Sequence, residues 1–140
     1  MKYCAVICEY NPFHNGHRYQ LGEIRRLSGC DGVLCIMSGN FTQRGEAAIF
    51  HKYERAAHAV AGGADVVLEL PVPFAVSAAE YFARGAVHIL ASLPCVGELA
   101  FGCESGTKEE LLRTARATLD ESKQFKEALR DNMMDVTSYL

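Results

Sequence analysis

Gly32-Val33-Leu34-Cys35-Ile36-Met37-Ser38 places five apolar residues in a row between two small ones. A strand with one face in water alternates apolar and polar residues. A run without alternation is covered on both faces, as a central strand of a parallel sheet is. Upstream, residues 3–9 form another short β-rich run. They lead into the turn signals Asn11-Pro12 and Asn15-Gly16, then a helix with Leu21, Ile24 and Leu27 on one side and a stop at Ser28-Gly29. Downstream, a polar loop over residues 39–51 precedes a helix in which Tyr53, Ala56, Ala57, Val60 and Ala61 fall at the spacing of one buried stripe, ended by Gly62-Gly63. Val66–Leu70 reads as a third strand, stopped by Pro71 and Pro73.

The remainder continues the alternation. Ser77 and Glu80 have capping-box spacing ahead of a helix that runs to about Leu93, and residues 98–101 read as a fourth strand. Thr107 and Glu110 repeat that spacing before Leu111, Leu112, Ala115 and Leu119, and a last amphipathic helix carries Phe125, Leu129 and Met133. The expected fold is therefore α/β: a doubly wound, Rossmann-like parallel sheet of four strands with helices on both faces. Residues 1–140 are expected to form a single domain with a helical tail over about residues 107–140.

Composition bounds what such a chain does. With 140 residues, 49% hydrophobic and 22% charged, it is in the range of one globular domain. No apolar run reaches membrane-spanning length, and a formal net charge of −3 argues against a surface devoted wholly to nucleic acid. Cys4, Cys8, Cys30, Cys35, Cys95 and Cys103 contain no C-x-x-C pair and sit mostly among apolar neighbours. They read as reduced thiols of a cytoplasmic protein, with no metal site expected.

In a doubly wound sheet, ligands bind beyond the carboxyl ends of the strands. The segment there after the first strand is Asn11-Pro12-Phe13-His14-Asn15-Gly16-His17. It sets two imidazoles three residues apart at a helix start, where unpaired N–H groups and the positive end of the dipole favour an anion. Gly16 permits close approach to the backbone, and His14 and His17 can donate hydrogen bonds to phosphate oxygens as charge builds up. The loop after the second strand offers Arg44 as an anion partner, with Ser38, Asn40 and Gln43 as uncharged polar groups that orient a substrate. Arg25, Arg26, Lys52 and Arg55 read either as part of a nucleic-acid-facing patch or as scattered solvated charges. Glu69 reads as structural at least as readily as catalytic.

The H-x-G-H segment resembles the signature of the nucleotidyltransferase superfamily. Several strings extend that likeness to the bacterial tRNA(Met) cytidine acetate ligases: residues 9–17, 37–46, Gly63-Ala64-Asp65 leading to Glu69-Leu70-Pro71, Ser77-Ala78-Ala79-Glu80 and Phe101-Gly102-Cys103-Glu104. The resemblance implies activation of acetate by ATP to acetyl-adenylate and pyrophosphate, then acetyl transfer to N4 of the wobble cytidine of elongator tRNA(Met). It implies a nucleotide along residues 7–20, held by Ile7, Cys8, Glu9, Tyr10, Asn11, Phe13, Gly16 and Gln20. His14 and His17 would lie on the phosphates, Gly102 near the adenosine, and Mg2+ would accompany the ATP. Cys8 and Cys103 stand where the likeness leads one to expect small or hydroxyl residues. A small adenylyltransferase acting on a phosphorylated metabolite, or a fragment that only binds nucleotide, are the competing readings. The family's fifth strand and its Ser/Thr/Arg triphosphate motif have no counterpart after Gly106, so the likeness implies a piece truncated before that motif. The open sheet edge invites a homodimer.

Overall fold

The computed structural model describes residues 1–103, 106–119 and Glu127. The helix expected around Phe125, Leu129 and Met133 lies outside the described residues. Two compact units are distinguished, Met1–Gly102 and Cys103–Leu140. In chain order the elements are β1 (Tyr3–Cys8), α1 (Asn15–Ser28), β2 (Gly32–Ser38), α2 (Lys52–Ala61), β3 (Val66–Leu70), α3 (Val72–Ala75), α4 (Ala79–Ala91), β4 (Val96–Ala100) and, in the second unit, α5 (Lys108–Leu119).

The four strands are parallel and lie in the order β3-β2-β1-β4. β2 is central in the physical sense that its apolar run predicts: all seven of its residues are buried. Its alternate residues feed two separate cores. Val33, Cys35 and Met37, with Cys4 and Val6 of β1, pack against Leu21 and Ile24 of α1 and Ala59 of α2. Leu34 and Ile36, with Ala5 and Leu70, pack against Ala75 of α3 and Ala86 and Leu90 of α4. Helices thus cover both faces, and the doubly wound reading is correct.

The order also locates the crevice. The chain steps outward from β1 to β2 to β3 and then returns to place β4 on the other side of β1. The loops after β1 and β4 diverge there and leave a gap for a ligand.

Three local expectations fail. The stripe on α2 is rotated: Tyr53 and Val60 are exposed, as are Ala57 and Ala61, while Arg55 and Ala59 face inward. The inward face is set by what the Arg55 guanidinium bonds to, not by apolar count. Leu27 is exposed, and the buried residues of α1 are Leu21 and Ile24. The Ser77/Glu80 box does not form, because Ser77 Oγ donates instead to the carbonyl of Pro73 at 2.6 Å and Glu80 pairs with Arg84. The Thr107/Glu110 box does form: the Thr107 N–H donates to the Glu110 carboxylate at 2.7 Å, and the Glu110 N–H to Thr107 Oγ1 at 3.3 Å.

Candidate active site

β1 ends at Cys8, and the chain turns through Tyr10, whose φ of 48° is in the left-handed region. Such a backbone costs a β-carbon-bearing residue roughly 1–2 kcal/mol. Tyr10 is held there by burial, with its ring against Phe13 at 5.0 Å and its hydroxyl 3.5 Å from Cys35 Sγ. Burial pushes the Tyr10 phenol and the Cys8 thiol well up, which favours the neutral form of both. Phe13 seats its ring over Gly62 at the end of α2, where a β-carbon would stand 2.2 Å from its Cζ.

His14 is the N-cap of α1, and its pairing with His17 is a histidine version of the capping box. The Gly16 N–H donates to His14 Nδ1 at 3.1 Å, and the His14 N–H to His17 Nδ1 at 3.3 Å. In a neutral imidazole the nitrogen that accepts has no proton, so both rings carry their N–H at Nε2, on the edge away from the helix. The rings stack with centroids 3.6 Å apart and 21° between planes. Partial burial, with the neighbouring His14, holds His17 below the usual histidine value, which keeps it neutral at pH 7. The helix start therefore presents two imidazole N–H donors in parallel, backed by the positive end of the α1 dipole. Gly16 serves this arrangement directly, since a β-carbon there would meet the His14 ring at 3.0 Å.

Residues 39–49 form a small hairpin over that turn. Phe41 and Ala47 make an antiparallel bridge, the Thr42 N–H donates to Glu46 O at 2.8 Å, and Gly45 (φ 78°) closes the tip by donating to Thr42 O at 2.9 Å. The hairpin is fastened by side chains of the β1–α1 segment. Glu9 Oε1 accepts from the Gln43 N–H at 2.7 Å, and Asn11 Oδ1 accepts from the Ile49 N–H at 2.7 Å. Gln43 Nε2 donates to Ser77 O at 2.9 Å, and Asn40 Oδ1 accepts from the Lys52 N–H at 3.0 Å.

Beneath both segments lies Arg55, 0% exposed and with no carboxylate in an ion pair with it among the described residues. Its guanidinium donates to four carbonyl oxygens: Phe50 at 3.2 Å, Ser38 at 3.0 Å, and those of Glu9 and Gly39. It joins the carboxyl ends of β1 and β2 to the start of α2. Of the basic residues read as a patch or as solvated charges, Arg55 is thereby neither. Arg55 is buried, Lys52 pairs with Glu69 at 2.6 Å, Arg25 pairs with Asp65, and Arg26 pairs with Glu23 at 2.6 Å.

Two clefts adjoin at Gln20. One, of about 520 Å³, gathers Ile7, Cys8, Glu9, Tyr10, Asn11, His14, His17 and Arg44 from the expected site, and adds Pro12, Thr42 and Glu46. The other, of about 660 Å³, runs between α1 and β4 and brings Gly16 and Gly102 to Gln20, beside Phe101. Phe13, Ser38, Asn40 and Gln43 line neither cleft. Thr42, Glu46 and Arg55 are absent from the expected set. Thr42 and Glu46 flank the Arg44 turn and were accessible to a hairpin reading of that loop. An arginine on a helix carries no sequence signal of burial. Among the described residues no helix is long and apolar enough to cross a membrane, and no three His, Cys, Asp or Glu side chains are grouped to hold a metal ion.

The model of the HIGH Nucleotidyl Transferase family matches residues 1–140. The tRNA(Met) cytidine acetate ligase of Acetivibrio thermocellus is 46% identical over 139 residues, 99% of this chain and 34% of its own. That of Caldanaerobacter subterraneus is 48% identical over 133 residues, 95% and 33% respectively. The crystal structure of Thermotoga maritima TmcAL bound with alpha-thio ATP superposes with a TM-score of 0.87 at 44% identity, covering 96% of this chain and 33% of that one. The chain thus spans about a third of the length of the relatives it matches. Sheet order, the histidine-capped helix start and the match along the whole sequence agree: the chain belongs to the HIGH nucleotidyl transferase family, with the tRNA(Met) cytidine acetate ligases as its relatives there.

Proposed function

We propose that this chain is the nucleotide-binding part of an ATP-dependent tRNA(Met) cytidine acetate ligase. In the first step an acetate oxygen forms a bond to the α-phosphorus of ATP and the α–β phosphoanhydride bond breaks. Pyrophosphate leaves with the electron pair, and acetyl-adenylate remains. Ionised acetate is already a nucleophile, so this step needs alignment and charge stabilisation but no proton transfer. His14 and His17 supply the stabilisation through Nε2–H donors whose direction is fixed before the ligand arrives. The adenosine lies in the adjoining cleft, toward Gly16, Gln20 and Gly102. Mg2+ would come with the nucleotide as the counter-ion of its phosphates; such an ion keeps several waters and takes only one or two protein carboxylates. Glu46, on the cleft wall, fits that need for a single protein oxygen. In the second step the cytidine N4 amine of elongator tRNA(Met) attacks the acetyl carbonyl and AMP leaves. The protein acts in the cytoplasm, and β4, an edge strand of the described sheet, supports self-association.

The observation that carries this reading is the pair of committed Nδ1 atoms, which leaves two parallel Nε2–H donors at a helix start. The test is acetate-dependent exchange of pyrophosphate into ATP, with calorimetry of a non-hydrolysable ATP analogue on the same protein. Exchange that requires acetate and is lost with His17→Ala supports the reading. Turnover only with a phosphorylated metabolite refutes it in favour of an adenylyltransferase. Equal analogue binding by wild type and His17→Ala refutes the site.

A further inference from the structure

Thr42 is 5% exposed, and its Oγ1 is buried with no hydrogen-bond partner among the described residues. A buried hydroxyl left unsatisfied costs roughly 1–3 kcal/mol, and valine would fill the same volume without that cost. Its place is the wall of the cleft that holds His14 and His17. Two residues on, at the tip of the same turn, Arg44 lines that cleft. It forms no ion pair among the described residues, whereas Arg25, Arg26, Lys52 and Arg84 each do. Among the described residues lining that cleft, Arg44 is the one arginine or lysine. The neighbouring Glu9 carboxylate is engaged by the Gln43 N–H, and the hairpin that carries Thr42 and Arg44 is fastened to the turn that carries the histidines.

A guanidinium fork beside a hydroxyl donor is complementary to a small carboxylate, whose two oxygens offer about four lone-pair sites. We propose that Thr42 and Arg44 form the acetate subsite, a reading that rests on the adenylation proposed above. They hold one carboxylate oxygen by hydrogen bonding. The other oxygen is left free to bond to the α-phosphorus held across the cleft by His14 and His17, and pyrophosphate departs on the far side. Thr42 is thus a substrate-binding residue whose vacant hydrogen bond the acetate completes.

The test measures acetate directly, by saturation transfer to its methyl protons in the presence of α,β-methylene-ATP, with calorimetry of that analogue on each variant. Wild type is expected to bind both. Thr42→Val weakens acetate about tenfold, the loss of one hydrogen bond to a charged group, while the analogue's affinity stays within about twofold. Thr42→Ser restores acetate binding, and Arg44→Gln removes it. The Thr42→Val chain melts no lower than wild type, so its loss of acetate is not loss of fold. Wild-type acetate affinity in Thr42→Val overturns the subsite, as does wild type that binds the analogue but no acetate. A shift in the analogue's affinity instead of acetate's overturns it too, by giving the hydroxyl to the nucleotide. Wild type that fails to bind the analogue at all refutes the nucleotide reading beneath it, a result separate from the others.

Discussion

Replacing Arg55 tests the idea that one buried cation sets the geometry of the site. The guanidinium is 0% exposed and donates to four carbonyl oxygens, two of them at the carboxyl ends of β1 and β2 and the third and fourth at Gly39 and Phe50. Burial lowers its pKa but leaves it a cation at neutral pH. A hydrogen bond from a charged donor is worth roughly 1.5–3 kcal/mol, so four of them exceed the several kcal/mol that desolvating the cation costs. Arg55→Met fills most of the volume but leaves the carbonyls without donors, and breaking such a buried network costs about 3–5 kcal/mol. Arg55→Lys keeps the charge, but a point ammonium cannot reach all four acceptors, and it should lose about half as much. For a folded unit of this size each kcal/mol corresponds to roughly 4–8 °C, so Arg55→Met should melt about 12 °C or more below wild type, with Arg55→Lys between. Thermal and urea unfolding of the three proteins measure this. Arg55→Met within about 1 kcal/mol of wild type, or below Arg55→Lys by nothing, would refute the claim that these hydrogen bonds organise the strand ends.

Two further outcomes follow from the β1–α1 turn. His17 has a lowered pKa in the folded chain, so the unfolded chain takes up the proton first as pH falls. Its contribution is therefore fully present above the ordinary histidine value and is lost as pH drops below it; urea unfolding at pH 7.5 and 5.5 should show that slope in wild type and a smaller one in His17→Gln. Gly62→Ala would set a β-carbon 2.2 Å from Phe13 Cζ. Displacing that ring should cost about 1–3 kcal/mol by overpacking and weaken nucleotide binding through the adjacent His14, read together by thermal unfolding and calorimetry.

How much of this was legible in the sequence depends on how local the cause is. β2 was readable because continuous apolar character has one structural meaning in an α/β chain, and the histidine motif was readable because its spacing is meaningful at a helix start. The orientation of α2 was not. Its apolar spacing points Tyr53 and Val60 inward, while Arg55 takes the interior through carbonyl oxygens, three of which, on Glu9, Ser38 and Gly39, lie sixteen or more residues away. The Ser77/Glu80 spacing misled because the short α3 intervened and took the Ser77 hydroxyl. Glu9 and Asn11 were placed at the ligand, and both do line the cleft, yet their side-chain oxygens are bound to the backbone of a hairpin more than thirty residues away. Pairing at that range leaves no periodic trace.

Those two fastenings bear on how the cleft meets its ligands. A loop that is loose in the free protein must be ordered when a ligand arrives, and the lost freedom is subtracted from affinity. Here the wall that carries Thr42 and Arg44 is already tied by Glu9 and Asn11 to the floor that carries His14 and His17, and Gln43 ties it to the Ser77 carbonyl as well. The ordering is completed when the chain folds, and a small substrate with few atoms to contribute meets two donor groups already facing each other.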